Sequence, residues 1–548
     1  MTERDKEFFS YCCRDSAVTY EINQVLEPLT HGTSKEHYRF NISLLNSLLY
    51  MEHRGIKYNI TEAASRREVV RKEMFEEQAR LNGLTGRFVK SKDDIFDRAR
   101  ETLAYKKAFI ERHDYGAIAV NAYKDSIKDA ARLYQVMHSP PSLAAIGEIE
   151  DLVGVSLNTG SPKAMKEFLF EELGLPEQYN FRRKSKDEDA EVPLTADYEA
   201  LLKLSKHCIK EDNKTHLRIL THCINIRSLA TRQRMLSIGA DDDGRIRCGY
   251  NIVGSDTGRI TCYESPTGSG YNLQTIPKYD RDLFMADDGC FMFQCDLSGA
   301  DSVTVAAYSK MLGDPTMMDD FDHGLKPAKL MVLMLRGTSI NFKDREALKE
   351  ACKDIDPDSW DYFACKRVVH GASYCEGDQK ISDSIFTDSE GKFYLDRKDC
   401  KKLRDDCFFT RYRGVKMWQN WLNQKIRERP TIIAASGQVR HFFGRKEELL
   451  PKACAFEPQA VTTYATNLAL YRLWTDEENR EGKRLKIEPL HQVHDALIGQ
   501  FRKENAVWAV SKIKSWFNNV INIAGQRVVI GFDGAYGESW GNLKEGKI

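Results

Sequence analysis

Residues 291–309 read FMFQCDLSGADSVTVAAYS, and this stretch decides the fold. Phe291 to Cys295 is a short apolar run of strand length that ends at Asp296, after which small and apolar residues follow at the spacing of a helix packed back on that strand. A carboxylate at a strand end, turned toward a cleft, suits a metal site. An Asp that starts a turn and caps the next helix is the ordinary alternative.

Far downstream, Leu490–Phe501, LHQVHDALIGQF, has the pattern of a β-hairpin whose turn holds His494 and Asp495 between two apolar strands. Gln492 and Val493 alternate as a half-buried strand requires. Two strand-end carboxylates brought close together repel and raise each other's pKa unless a divalent cation lies between them. Hard oxygen ligands in that number suit Mg²⁺, which keeps its other positions for water and substrate phosphates. That is the arrangement of two-metal, in-line phosphoryl transfer.

The length of 548 residues predicts several subdomains, and a 42% hydrophobic content supplies their cores. With 81 basic and 81 acidic residues there is no net field, so attraction of a polyanion has to come from local patches. The 14 cysteines include no C-x-x-C pair and none of the zinc spacings, which predicts reduced, buried thiols. No apolar run approaches the length of a membrane span and Met1–Ser10 is charged, so a cytoplasmic protein without membrane contact is expected.

Residues 1–30 read as an amphipathic helix containing Tyr11 and Asp15. From Ser43 to about Glu150 the pattern is long, charged and helical, with cations at Arg66, Arg67, Arg71, Lys72, Arg87, Lys90 and Lys92 that most simply form a solvated face. Lys184–Glu191 reads as an exposed loop, and helical spacing returns from Ala196 to Leu236. Further on, steps of four place Lys366, His370 and Tyr374 on one helix face. A Lys, an imidazole and a phenol in a line suit a triphosphate, a sugar and a base. A snorkelling Lys beside a partly buried aromatic explains the same pattern.

In this order and spacing, Asp296, Lys366 with Tyr374, and His494-Asp495 resemble motifs A, B and C of the family A DNA polymerases, the bacterial polymerase I group and its phage relatives. Thr257-Gly258-Arg259 and Asn272-Leu273-Gln274-Thr275-Ile276-Pro277 are similar to the TGR…NLQ-x-IP segment before motif A. Gly437–Lys446 and the helix near Gln459 resemble the stretch between B and C. The resemblance runs from about residue 40 to the C-terminus. It implies an α+β, right-hand polymerase: thumb 31–240 with an insertion at 83–150, palm 241–309 and 437–548, and fingers 310–436. It further implies two Mg²⁺ ions held by Asp296, the Leu297 carbonyl and Asp495, with Lys366 on the leaving-group side. Tyr374 would lie where the nascent base pair stacks. Arg259, Asn272, Gln274, Gln459, Gln492 and His494 would read the primer-template by shape. Its partners would be primer-template DNA and deoxynucleoside triphosphates, in replication of a phage or mobile element.

Several positions depart from the family pattern. Asp301 stands where a Glu usually crowds the ribose 2′-hydroxyl. Tyr362 replaces an Arg, leaving Arg367, Lys326 or His323 to serve the γ-phosphate. His370 replaces an aromatic residue, Cys375 a Gly and Ala496 a second acid. A single-subunit RNA polymerase and a catalytically inactive nucleic-acid-binding relative are the competing readings. In this family a 3′–5′ exonuclease domain, when present, precedes the thumb and ends in a Tyr and a metal-binding Asp; Tyr11 and Asp15 resemble that end. The expectation is no working exonuclease in this polypeptide: the chain is a C-terminal fragment, or residues 1–30 are the seat of a separate exonuclease subunit, or they are a helical remnant of a lost domain. The 83–150 segment, with aromatics at Tyr105, Phe109, Tyr115, Tyr123 and Tyr134, resembles the place where phage relatives bind a processivity factor. A thumb extension touching DNA is the alternative.

Overall fold

The apolar run before Asp296 is strand β1, Cys290–Leu297. In the computed structural model, which describes residues 3–85, 157–180, 192–264 and 270–548, it is the central strand of a five-stranded sheet. The hairpin expected at the second motif is present, as β2, Ile487–Val493, and β3, Ala496–Arg502. With β4, Phe532–Gly537, and β5, Gly546–Lys547, the spatial order is β2-β3-β1-β4-β5, antiparallel throughout. Register places Ala496 on one side of Asp296 and Asp533 on the other. Phe291, Phe293, Phe501 and Tyr536 pack ring against ring on the sheet. Gly499 lets the Phe293 ring lie against β3, since a Cβ there would fall 2.5 Å from that ring.

The chain divides into two compact units. The first comprises 1–60, 239–381 and 396–548. It holds the five-stranded sheet and helices α1, Glu3–Leu26, and α2, Gly32–Arg54. α2 buries Leu44, Leu48 and Met51 and packs on β2, so residues 31–60, expected with the thumb, cluster with the sheet instead. Its opposite face leaves Tyr38, Ile42 and Leu49 exposed. α1 buries none of its described side chains.

The second unit comprises 61–238 and 382–395, so residues 382–395, expected with the fingers, cluster here. It is built on α3, Ile60–Thr85, α4, Tyr198–Lys210, and α5, Lys214–Leu236. The helical stretch expected from Ala196 to Leu236 is broken because Asp212 takes φ 50° and Asn213 caps α5, accepting from His216 N at 3.0 Å. Leu81, Leu157, Phe168, Leu201, Leu204 and Leu220 share one core. On α3, Arg66 pairs with Glu62 at 2.8 Å and Arg71 with Glu68 at 3.1 Å, the arrangement of a solvated face. Arg87, Lys90, Lys92, the aromatics from Tyr105 to Tyr134 and the 184–191 loop lie outside the described residues.

Returning to the first unit, β1 leads into α6, Ala300–Met311. α7, Trp360–Ser373, α8, Arg413–Glu428, and α9, Lys446–Thr475, follow. α6 packs against α7, α8 and α9, and this helical layer meets the end of β1 where Asp296 lies. Among the described residues no helix is long and apolar enough to cross a membrane.

Candidate active site

Strand end, turn and helix start converge at Asp296. The chain leaves β1 through Ser298 and Gly299, which caps α6 at φ 65°, a conformation open to glycine without steric cost. The hairpin turn is fastened beside it. Leu297 N donates to Asp495 O at 3.2 Å and Ser298 N to Gly531 O at 2.8 Å, while Gln492 Nε2 donates to His494 O at 2.7 Å. His494 is held at φ 52°, strained backbone for a residue with a Cβ, of the kind that clusters at functional sites.

Asp296 and Asp495 both line a cavity of about 1350 Å³, with Leu297, Arg259, His494 and Lys366 on its walls. Burial, then the Asp495 charge, pushes the Asp296 carboxyl up to about 6. Burial also raises Asp495. Two half-buried carboxylates that resist ionisation side by side fit a cation between them. Among the described residues no group of three or more His, Cys, Asp or Glu is placed to hold a metal. The pair alone would not fill a metal's shell, and carbonyl, water or substrate oxygens would have to complete it.

Lys366, Arg367 and His370 project from α7 into the cavity lining, and the Arg367 guanidinium lies 5.5 Å from the Phe363 ring. Burial lowers the His370 pKa, partly offset by Asp301. Asp301, on the first turn of α6, also lines the cavity. Its carboxylate accepts from Tyr374 OH at 2.6 Å and from Thr462 Oγ1 at 2.5 Å.

Other expected site residues are placed differently. Tyr374 follows the last residue of α7, is 6% exposed and lies edge-on to His370, with ring centroids 4.5 Å apart; tied to Asp301, it offers no open face to a base here. His323 is absent from the cavity lining, because its Nδ1 turns back to Asp319 O at 2.7 Å. Gln492 is fully buried, so in this conformation it fixes the turn and presents no surface to a duplex. Gln274 spends its amide on Cys262 N, Ile260 O and Gln492 O. Asn272 caps the short helix Leu273–Thr275 by accepting from Gln274 N at 3.1 Å. Gln459 is half-buried and bonds to Tyr374. These amides brace the site from outside the cavity lining.

Two residues escaped sequence reading. Asp533, on β4, stands directly across from Asp296, adds to the forces raising its pKa and lies 3.6 Å from Lys326. Its strand, FDGAYG, alternates too weakly to announce itself. Thr462 reads as one of many small residues on the inner face of α9.

Comparison with known proteins accords with this geometry. DNA polymerase I of Helicobacter pylori is 23% identical over 414 residues, covering 72% of this chain and 39% of that protein. DNA polymerase I of Mycobacterium bovis is 28% identical over 214 residues, 37% of this chain and 19% of that one. The chain thus spans about two-fifths of the Helicobacter protein's length. Among solved structures, the POL domain of Pol1 from M. smegmatis, in complex with DNA primer-template and dNTP, shares the fold. Its TM-score is 0.58 at 17% identity, over 92% of this chain and 70% of that one. The pattern of one family matches residues 142–542, most of the chain: this protein belongs to DNA polymerase family A.

Proposed function

We propose that the chain is a template-directed DNA polymerase that adds deoxynucleotides to a primer 3′ end. The observation that carries this reading is the pairing of Asp296 and Asp495 at the meeting of β1 and the β2–β3 turn, in one cavity with Lys366. Asp296, Asp495 and the Leu297 carbonyl would hold two Mg²⁺ ions. When bound, these would activate the primer hydroxyl and neutralise the triphosphate. Lys366 adds positive charge on the leaving side, with Arg367 and Lys326 lining the same cavity. Arg259 and His494 face the growing duplex. Asp301 meets the sugar and crowds a ribose 2′-hydroxyl.

The subdomain assignment goes with this reading: palm at 241–309 and 437–548, which contribute all five strands of the sheet, and fingers around α7. The exposed Tyr11, Val18, Ile22 and Val25 of α1 support the seating of a separate polypeptide on residues 1–30. A 3′-labelled single strand incubated with this chain alone should stay intact.

Primer extension with Mg²⁺ tests the main reading. Asp296→Asn or Asp495→Asn should reduce single-nucleotide addition by a factor of about 10³ or more. Primer-template affinity should stay within a few-fold, because duplex binding is mostly phosphate contacts. Near-normal turnover in either variant would overturn the assignment.

A further inference from the structure

The Asp301 carboxylate is tied at both oxygens. Tyr374 OH donates to Oδ2 at 2.6 Å and Thr462 Oγ1 donates to Oδ1 at 2.5 Å, the lengths of charge-assisted O–H···O⁻ bonds. The donors come from different elements. Tyr374 follows α7, Thr462 belongs to α9 and Asp301 opens α6. Thr462 is 5% exposed and Tyr374 6%, so water competes poorly for either bond. The Thr462 hydroxyl also lies 2.9 Å from Pro458 O, the usual resting place of a helical threonine hydroxyl. It has one hydrogen to give, and an ionised carboxylate is the stronger acceptor.

An Asp has two rotatable bonds, and held by a single donor its carboxylate can pivot away from an atom pressed against it. Held at both oxygens, it cannot yield without breaking a charge-assisted bond to a buried donor. We infer that Thr462 is a positioning residue for sugar selection: its hydroxyl locks the Asp301 carboxylate in the path of a ribose 2′-hydroxyl. This rests on the reading above, in which the cavity takes a nucleotide with its sugar against Asp301. It also accounts for how a side chain as short as Asp can bar a hydroxyl, since rigidity replaces length.

The experiment measures kcat/KM for a matched deoxynucleotide and its ribonucleotide in the unmodified protein, Asp301→Ala, Thr462→Val, Thr462→Ser and the double variant Asp301→Ala/Thr462→Val. Thr462→Val should lower the deoxy-to-ribo ratio about tenfold, or about 1.4 kcal/mol. Thr462→Ser, which keeps the hydroxyl, should hold the ratio within about twofold, the hydroxyl being what acts. In the Asp301→Ala background the valine substitution should change the ratio no further, because nothing is left to clamp. A merely structural threonine would act equally in both backgrounds. If Asp301→Ala leaves the ratio unchanged, the placement of the sugar against Asp301 fails, and the inference with it. If Asp301→Ala lowers the ratio but Thr462→Val does not, or does so equally in both backgrounds, the clamp is overturned and the gate stands. Should the valine variant not fold, Thr462→Ala carries the same comparison.

Discussion

Glu457 shows at the scale of one residue how the helical layer accommodates charge. It lies on the inner face of α9, 6% exposed, with Tyr308 OH donating to Oε1 at 2.6 Å. Burial pushes its carboxyl up to about 7, against the pull of the Tyr308 hydrogen bond. A carboxyl whose folded pKa is raised binds its proton more tightly in the folded state. Its stabilising contribution is therefore complete below the unfolded value of 4.5 and is lost as pH rises through about 7. Glu457→Gln keeps an acceptor for Tyr308 and has no charge to bury. It should stabilise the protein by on the order of 2 kcal/mol at pH 8 and change it little at pH 5. Urea unfolding at the two pH values checks this, and an equal effect at both would show that the ionised form carries no burial cost.

At the scale of elements, Gly437 shows how a loop residue sets the seat of a helix. It adopts φ 82°, and a Cβ there would lie 2.5 Å from Thr33 O, in the first turn of α2, and 3.3 Å from the His37 side chain. His37 Nδ1 meets Ser436 O at 3.0 Å, so loop and helix are joined at this point. Gly437→Ala adds left-handed strain and a clash with backbone, and should cost about 2–3 kcal/mol. An unchanged urea midpoint would mean that α2 shifts freely. Local periodicity made β1, α6 and the β2–β3 hairpin legible in the sequence, and with them the strand-end place of Asp296 and the turn that holds Asp495, as steps of four did for Lys366 on α7. What stayed hidden depends on contacts between distant residues. The Asp301–Thr462 bond spans 161 positions and the Gln274–Gln492 bond 218, and no pattern within a helix or strand encodes either. The same holds for Tyr374: its step of four from His370 is visible in the sequence, and its burial against Asp301 is not. At Cys375, where the resemblance has Gly, the chain still takes φ 58°, so the turn survives the substitution at a cost of about 1 kcal/mol.

At the scale of the molecule, the balance of 81 basic and 81 acidic residues means that, on the proposed reading, any hold on a polyanion has to come from local patches. Residues 86–150, the part of the expected 83–150 insertion that follows α3, fall between two points that the second unit holds together. Leu81, in the last turns of α3, and Leu157 share one core, and Gln78 Nε2 reaches Leu157 O at 3.4 Å. A short glycine-serine linker in place of 86–150 joins positions that the core already brackets, and because closure entropy grows only slowly with loop length, closing the linker itself should cost little. The shortened protein should unfold at nearly the same urea concentration as the full chain. It should also add a single nucleotide at a similar rate, since Asp296, Asp495 and Lys366 lie in the first unit. If the replaced segment holds DNA, directly or through a bound factor, the quantity that changes is the number of additions per binding event, because a lost tether raises the chance of dissociation at every step. Primer extension against excess trap DNA, with and without host extract, should then give shorter products from the shortened protein. Equal product lengths in both conditions would count against both a DNA-holding extension and a factor-binding insertion.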